Sequence, residues 1–363
     1  MKITAIITTK NRVSLFERAF NSVLEQDRQP DEIIVVSDST EENFLIEQEI
    51  VQNRATIHKD IYTHNYAGSL NTALHYKLGN DLFQYLDYND EYIAFLDDDD
   101  MWYSNYLSKC ESASQDKDFV ITGIRYISEE GERFLTIPSS VCIDDFLKGN
   151  PHIQGSNTFI RLSTLLKAGL FDEMLPSTTD RDLFSRVLML NPTYEIINEY
   201  LLDIDYSSSI DHLTFNYPIK QEGLRNFYFK YQGMMSDEIK NHFFDRTRRL
   251  YRCGIEELGK LKEGSLQEFK LAFSSLRYDG HLTIGFIATS PELGLRLLKQ
   301  LVALHRLNTH IVIFINFKEP TTDFVQILQD SQYTYQLLRK EDLDEVHYRE
   351  LVDLKSINTQ EIF

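Results

Sequence analysis

The first hundred residues alternate between short apolar runs and one amphipathic stretch. Residues 3–8 and 32–36 have the length and β-branched content of buried strands. Between them, residues 13–26 carry apolar side chains at helical spacing. This order of strand, helix and strand predicts a right-handed βαβ unit of a mostly parallel sheet.

A third apolar run, residues 92–96, leads directly into four aspartates, Asp97 to Asp100. Adjacent carboxylates at the end of a buried strand repel each other, and desolvation disfavours their charged forms further. Their oxygen atoms are the hard ligands that select Mg²⁺ or Mn²⁺, particularly where phosphate oxygens complete the coordination. The alternative is a solvated turn with Asp100 as the N-cap of a helix over about 101–112, which explains Asp100 but not the other three.

Polar loops follow the first two predicted strands, at residues 8–12 and 37–40. The carboxyl ends of parallel strands share one edge of a sheet, and ligands of open α/β sheets bind beyond that edge. We therefore expect both loops and the aspartate cluster to converge on one site.

Composition narrows the possible partners. The chain has 363 residues, of which 42% are hydrophobic, enough for a packed core. A net charge of −19 argues against a nucleic-acid backbone or an anionic membrane as the main partner. No apolar run has the length of a membrane span or of a signal peptide. The three cysteines show no metal-ligand spacing, and we expect a cytoplasmic protein.

Several motifs together resemble the family 2 glycosyltransferases of the GT-A fold, an α/β fold with a mostly parallel central sheet. They cover about the first 210 residues in the family's order, at residues 9–12, 33–40, 64–71, 95–100, 155–161, 169–173 and 179–183. Two positions depart from the family pattern. Ser39 follows Asp38 where a glycine is usual, and Thr179 stands where an acidic pair usually begins with Glu. Residues 77–90 form a longer segment than the family's usual connection and resemble an insertion.

The resemblance implies an inverting, metal-assisted transfer of a sugar. The donor would be a nucleotide-diphosphate sugar, with a UDP-sugar favoured, and the acceptor a carbohydrate or glycoconjugate hydroxyl. Mn²⁺ or Mg²⁺ would be the cofactor. Two other functions stay open: a metal-dependent nucleotidyltransferase, although residues 8–12 lack the glycine of a phosphate loop, and a non-catalytic nucleotide-sugar-binding subunit.

The resemblance also assigns candidate residues for the donor: Thr8, Asn11, Arg12, Asp38, Asn71, Asp97 and Asp98. Asp38 would accept a hydrogen bond from a uracil imide, and its alternative is an Asx turn after the strand. Arg12 would pair with the diphosphate, and its alternative is an exposed charge at a helix start.

Within the cluster, Asp99 is the implied metal ligand, while Asp97 would hold the ribose or a metal-bound water. Side chains two apart in an extended segment point to the same side, so Asp98 and Asp100 are the more structural members. His212 is a further candidate metal ligand, against a merely solvated loop histidine. Trp102 is either a platform for the sugar ring or a core anchor.

Asp180 is the candidate general base, since an inverting transfer needs one carboxylate to take the acceptor's proton. It precedes a predicted helix, so the alternative is a negative charge favoured by the helix dipole. Asp182 is the reserve candidate.

The sequence predicts three regions: a GT-A domain over 1–215, a helical connector over 216–277 and a partial α/β unit over 278–363. The last region aligns with the opening βαβ unit and predicts adjacent parallel strands at Thr283–Ala288 and His310–Ile315. Chance likeness between two common units is the alternative. Lys318 replaces Asp38 there and no aspartate cluster follows. The unit is thus a degenerate appendage or part of a longer chain, and its open face would pack on the connector, on a missing remainder or on another copy in a homo-oligomer.

Overall fold

The computed structural model describes residues 1–62, 64–78, 90–173, 175–207 and 216–254, and the backbone of three further strands. The chain divides into two compact units, Met1–Gly259 and Lys260–Phe363. None of the described helices is long and apolar enough to cross a membrane.

The first unit alternates strands and helices as the sequence predicts. Its strands are β1 (Lys2–Thr9), β2 (Glu32–Ser37), β3 (Thr56–Lys59), β4 (Glu91–Asp97), β5 (Asp100–Trp102), β6 (Phe119–Ser128), β7 (Gly131–Phe134), β8 (Thr158–Arg161) and β9 (Tyr194–Asp205). Its helices are α1 (Val13–Leu24), α2 (Glu41–Val51), α3 (Tyr66–Leu78), α4 (Tyr106–Ala113), α5 (Ile143–Lys148), α6 (Leu162–Lys167), α7 (Thr179–Leu188), α8 (Tyr217–Tyr231) and α9 (Asp237–Tyr251).

The strands form one sheet in the order β3-β2-β1-β4-β8-β6-β9-β5, with β7 paired to β6. Strands β1 to β4 are parallel, and β6 and β9 run parallel to each other, whereas β5, β7 and β8 run antiparallel to their partners. In this register Thr8 lies opposite both Val36 and Asp97. The predicted α/β architecture with a mostly parallel central sheet is confirmed, and the carboxyl ends of β1, β2 and β4 meet at one edge.

The core explains why these segments fold as they do. Helix α1 buries Phe16, Ala19, Phe20 and Val23, which lie on one face at spacings of three and four. Strands β1 and β4 lie inside the sheet, and almost every residue of each is buried. A near-continuous apolar run is typical of a parallel strand covered on both faces.

The helix predicted over 101–112 is wrong at its start. Residues Asp100–Trp102 form β5, where Asp100 pairs with Ile204 and Trp102 with Leu202 of β9. Helix α4 begins only at Tyr106 with Asn105 as its N-cap residue, so Asp100 caps no helix. Tertiary pairing with β9 overrides the local helical pattern.

Helices α8 and α9 lie in the first compact unit. Their apolar side chains, among them Phe227 and Phe243, form one cluster with Leu147 and Leu175 of the preceding segment. The rest of the predicted connector, beyond residue 254, lies outside the described residues.

The second unit contains the strands β10 (Thr283–Ala288), β11 (His310–Ile315) and β12 (Tyr335–Arg339) in one parallel sheet. The two strands expected there are present, adjacent and parallel, with Thr283 opposite His310. The intervening helix and Lys318 lie outside the described residues, so the repeat of the opening unit stays a prediction.

Candidate active site

The aspartate cluster lies at the end of β4, at the same edge of the sheet as the polar loops that follow β1 and β2. Asp97, Asp99 and Asp100 each offer a carboxylate oxygen, and these oxygens lie within 4.8 Å of one another. The carboxylates of Asp97 and Asp99 lie close together, as the sequence predicts. Asp100 joins them rather than standing apart as a structural member.

Asp98 points away from this group and is fully buried. Its Oδ2 accepts hydrogen bonds from Thr9 Oγ1 at 2.8 Å and from Arg12 Nε at 3.2 Å. Arg12 also forms an ion pair with Asp98 Oδ1 and reaches Asp99 Oδ2 at 3.0 Å. Arg12 is therefore half-buried among carboxylates, and it compensates Asp98 more than the rest of the cluster.

Crowding and burial shift the titration of these aspartates. Burial, followed by the charges of Asp99 and Asp180, raises the pKa of Asp97 to about 8. Burial raises the pKa of Asp98 only to about 6, because Arg12 opposes it. The pKa of Asp100 is raised well above its usual value by burial and by Asp99. Three close oxygen ligands with excess negative charge fit a divalent cation that prefers oxygen, such as Mn²⁺ or Mg²⁺.

Asp38 follows β2 at the same edge and is held by the side chains of Lys10 and His64. Lys10 Nζ lies 2.6 Å from Asp38 Oδ2, and His64 Nδ1 lies 2.7 Å from Asp38 Oδ1. Asn11, at φ 55°, connects the loops that follow β1 and β2. Its Oδ1 accepts a hydrogen bond from the backbone N–H of Thr40 at 2.8 Å. The carboxylate of Asp38 therefore lies at the expected edge of the sheet, and contacts with neighbouring loops hold it in place.

Asn71 is buried in α3 and acts on another loop. Its Nδ2 donates to the carbonyl of Phe171 at 2.9 Å and to Glu173 Oε1 at 2.7 Å, while its Oδ1 accepts from the N–H of Phe171 at 3.1 Å. Asn71 therefore anchors residues 171–173. Thr8 is buried within β1, directly before the loop.

Asp180 stands in the first turn of α7, after Thr178 in the left-handed region at φ 65°. Its Oδ1 is buried and has no hydrogen-bond partner among the described residues. Burial raises the pKa of Asp180 to about 6, and the nearby charge of Lys220 opposes that rise. A Cβ on Gly155 would lie 3.8 Å from this oxygen and 2.8 Å from the hydroxyl of Tyr66, so the three groups are neighbours.

Asp182 is fully buried on the other side of the same helix. Its Oδ2 accepts from Arg186 Nη2 at 2.6 Å, and its Oδ1 lies 2.7 Å from Lys230 Nζ and accepts from the hydroxyl of Tyr231 at 2.8 Å. Burial alone would raise the pKa of Asp182, but Arg186 and Lys230 hold it at about 2. Both of its oxygens are occupied by protein groups.

One of the two remaining candidates, Trp102, can be placed. Trp102 is 4% exposed, stacks on Tyr106 with ring centroids 4.5 Å apart, and donates from Nε1 to the carbonyl of Ser156 at 2.7 Å. It is the core anchor and not a sugar platform. His212 lies outside the described residues.

Sequence reasoning missed four neighbours of the site: Lys10, His64, Tyr66 and Lys220. Lys10 and His64 lie within the sequence motifs at residues 9–12 and 64–71, where they could have been recognised as candidate partners of Asp38. Nothing in the local pattern marks Lys220, because it approaches Asp180 from a helix that begins 37 residues later in the chain.

Residues 4–165 match the family model of the glycosyl transferase family 2. An uncharacterized glycosyltransferase of Rickettsia felis is 27% identical over 205 residues, which cover 53% of this chain and 32% of that protein. One of Rickettsia conorii matches to the same extent. The chain thus spans about a third of the length of these curated relatives.

Two solved structures are similar to this chain at low sequence identity. Residues 1–349 of Staphylococcus aureus TarS with UDP-GlcNAc are 15% identical, with 84% of this chain and 88% of that one covered and a TM-score of 0.48. The mannosyltransferase PcManGT of Pyrobaculum calidifontis with GDP-Man and Mn²⁺ is 13% identical, with 83% and 73% covered and a TM-score of 0.44. The family match and the curated relatives agree that residues 4–165 are similar to glycosyltransferases of family 2, which supports glycosyltransferase as the enzyme class.

Proposed function

We propose that this chain is an inverting, metal-dependent glycosyltransferase. It moves a sugar from a nucleotide-diphosphate sugar, with a UDP-sugar as the first choice, to a hydroxyl of a carbohydrate or glycoconjugate. The observation that carries the proposal is the group of close carboxylates Asp97, Asp99 and Asp100 beside Asp180, whose buried Oδ1 has no hydrogen-bond partner among the described residues.

The donor would lie across the ends of β1, β2 and β4. Asp97, Asp99 and Asp100 would hold Mn²⁺ or Mg²⁺, which when bound neutralises charge on the departing diphosphate. Arg12, anchored on Asp98 and Asp99, adds a guanidinium beside that diphosphate. Asp38 would accept the imide hydrogen bond of the base, with Lys10 and His64 fixing the carboxylate in place.

Asp180 would act as the general base. In an inverting transfer, the acceptor hydroxyl oxygen bonds to the anomeric carbon while the bond to the diphosphate breaks, and the hydroxyl proton passes to Asp180 Oδ1. A pKa of about 6 leaves this carboxylate ionised at neutral pH and makes it a stronger base than an ordinary aspartate. Asp182 is fully buried and its oxygens are bound by Arg186, Lys230 and Tyr231, so we assign it to positioning α7.

A hydrolysis assay over a panel of nucleotide sugars tests the proposal, because water can replace the acceptor slowly. We expect release of UDP from one UDP-sugar in the presence of Mn²⁺ and none in EDTA, with release lost in Asp99→Asn. Binding of UDP-sugars without hydrolysis would favour a nucleotide-sugar-binding subunit. Failure to bind or to hydrolyse any nucleotide sugar would contradict the proposal.

A further inference from the structure

The buried face of α2 contains a carboxyl group that has no part in the proposed chemistry. The buried residues of this helix are Phe44, Glu47 and Val51, which follow one another at spacings of three and four. This spacing is typical of an apolar stripe against a core, and Glu47 occupies its middle position although it is fully buried. A buried carboxyl group costs stability relative to an apolar side chain unless its partners compensate it. The partners of Glu47 therefore indicate what it does.

Both carboxyl oxygens of Glu47 are bound by serines at the end of β2 and in the loop after it. Ser37 Oγ donates to Glu47 Oε2 at 2.5 Å, and Ser39 Oγ donates to Glu47 Oε1 at 2.7 Å. Among the described residues, no lysine or arginine forms an ion pair with Glu47. Burial raises the pKa of Glu47, and the two hydroxyls oppose that rise. Its partners are thus the two residues that flank Asp38 in the chain.

Ser39 also connects this loop to the loop after β1. Its Oγ accepts a hydrogen bond from the backbone N–H of Asn11 at 2.7 Å. Next to it, the backbone N–H of Asp38 donates to the carbonyl of Thr9 at 2.9 Å. A glycine at position 39, as is usual in the family pattern, has no hydroxyl for Glu47 or for Asn11. The serine therefore attaches the loop around Asp38 both to α2 and to the loop after β1.

We propose that Glu47 is a positioning residue for the nucleobase of the donor. By holding Ser37 and Ser39, it fixes the backbone between them and so sets the position from which Asp38 meets the base. Hydrogen bonds weaken steeply when distance or angle departs from the preferred geometry, so this position affects base recognition. The inference rests on the proposed function, which places the base at Asp38 and assigns the diphosphate to the metal and to Arg12.

Calorimetric titrations of the full chain in Mn²⁺, with UDP and with inorganic pyrophosphate, separate recognition of the base from recognition of the diphosphate. Glu47→Gln keeps the size of the side chain but gives one serine hydroxyl an amide donor where an acceptor stood. We expect it to weaken UDP binding about tenfold, as for the loss of a hydrogen bond to a charged group, and to leave pyrophosphate affinity at the wild-type level. Glu49→Gln, at an exposed glutamate of the same helix, is the matched control and should bind both ligands like the wild type.

Ser39→Ala tests the same link from the side of the loop, and it carries the test alone if Glu47→Gln does not fold. It should weaken the binding of UDP and leave that of pyrophosphate unchanged. The double variant should lose less UDP affinity than the product of the two single losses, because both changes remove the hydrogen bond between Ser39 and Glu47.

Two results would overturn the inference. One is a UDP affinity at the wild-type level in both Glu47→Gln and Ser39→Ala. The other is an equal loss for UDP and for pyrophosphate, which would make Glu47 a residue of general stability and not of base recognition. Failure of the proposed function would appear instead as a wild type that neither binds nor hydrolyses a nucleotide sugar.

Discussion

Helix α7 carries two aspartates, Asp180 and Asp182, that stand in opposite electrostatic environments. Asp182 is held by Arg186 and Lys230, and its pKa is about 2. Asp180 keeps one buried oxygen without a partner in the described residues, and burial raises its pKa to about 6. A buried carboxylate that the protein fully compensates stabilises the fold, whereas an uncompensated one is available to a ligand or a proton.

The same contrast recurs at the end of β4. Asp98 has Thr9 and Arg12 as partners and is wholly buried. Its neighbours Asp97 and Asp100 repel each other and Asp99; the pKa of Asp97 rises further than that of Asp98, and the pKa of Asp100 is raised well above its usual value. Among the described residues, an ion pair within 4 Å distinguishes the buried Asp98 and Asp182 from Asp97, Asp100 and Asp180.

The largest effect should follow from removing the uncompensated carboxylate of α7. Asp180→Asn should lower the transfer or hydrolysis rate by about 10²- to 10⁴-fold, because a general base contributes that much. Its affinity for UDP with Mn²⁺ should persist. The measurement is steady-state kinetics beside isothermal titration. Full activity in Asp180→Asn together with a folded but inactive Asp182→Asn would reverse the comparison.

Removing an ion-pair partner of Asp182 in α7 should lower the stability of the fold. Lys230→Met leaves Asp182 and Asp172 with fewer cations in a buried place, and the free energy of unfolding should fall by about 3–5 kcal/mol. Lys109→Met, which removes an exposed pair with Glu199, is the control and should cost about 0–1 kcal/mol. Urea denaturation measures both. A cost as small as that of the control would show that the cluster around Asp182 is not structural.

The two environments also predict opposite responses to pH. The pKa of Asp97 rises from 3.8 to about 8 on folding, so without metal the folded state holds more protons and loses stability as pH rises through that window. The depressed pKa of Asp182 stabilises the fold above pH 4, and this contribution is lost as pH falls through about 2. Thermal melts should therefore show a larger gain in Tm from Mn²⁺ at pH 8 than at pH 5.5. An equal gain at both would argue against metal binding by the raised carboxylates.

The smallest effect should come from Trp102, which adjoins the cluster in sequence but belongs to the core. Trp102→Phe removes the hydrogen bond to the carbonyl of Ser156 and should cost about 1–3 kcal/mol of stability, as an unsatisfied buried acceptor does. Donor hydrolysis measured below the melting temperature should stay at the wild-type level. A selective rise in the KM of Trp102→Phe for the donor would instead support Trp102 as a platform for the sugar ring.

Local patterns predicted the parts of this structure that local physics determines. The strands before Thr9 and Asp97 and the amphipathic helix α1 follow from apolar spacing, and their order implies the shared sheet edge. The strand at Asp100 could not be predicted in this way, since it exists only because β9 pairs with it from a hundred residues away.

The same limit applies to side-chain partners. That Asp180 and Asp182 differ is invisible in the sequence, because Arg186 lies within the helix but Lys220 and Lys230 come from α8. Long-range packing decides which of two similar carboxylates is compensated.

Calorimetric titration of UDP tests the central claim most directly, with Asp98→Asn as the matched control for Asp99→Asn. The account predicts that the wild type binds UDP in Mn²⁺ or Mg²⁺ and not in EDTA. Asp99→Asn should weaken this binding by about tenfold or more, as expected for losing a charged ligand, and Asp98→Asn should change it much less. Equal losses in the two variants, or UDP binding that persists in EDTA, would contradict the assignment of the metal to Asp97, Asp99 and Asp100.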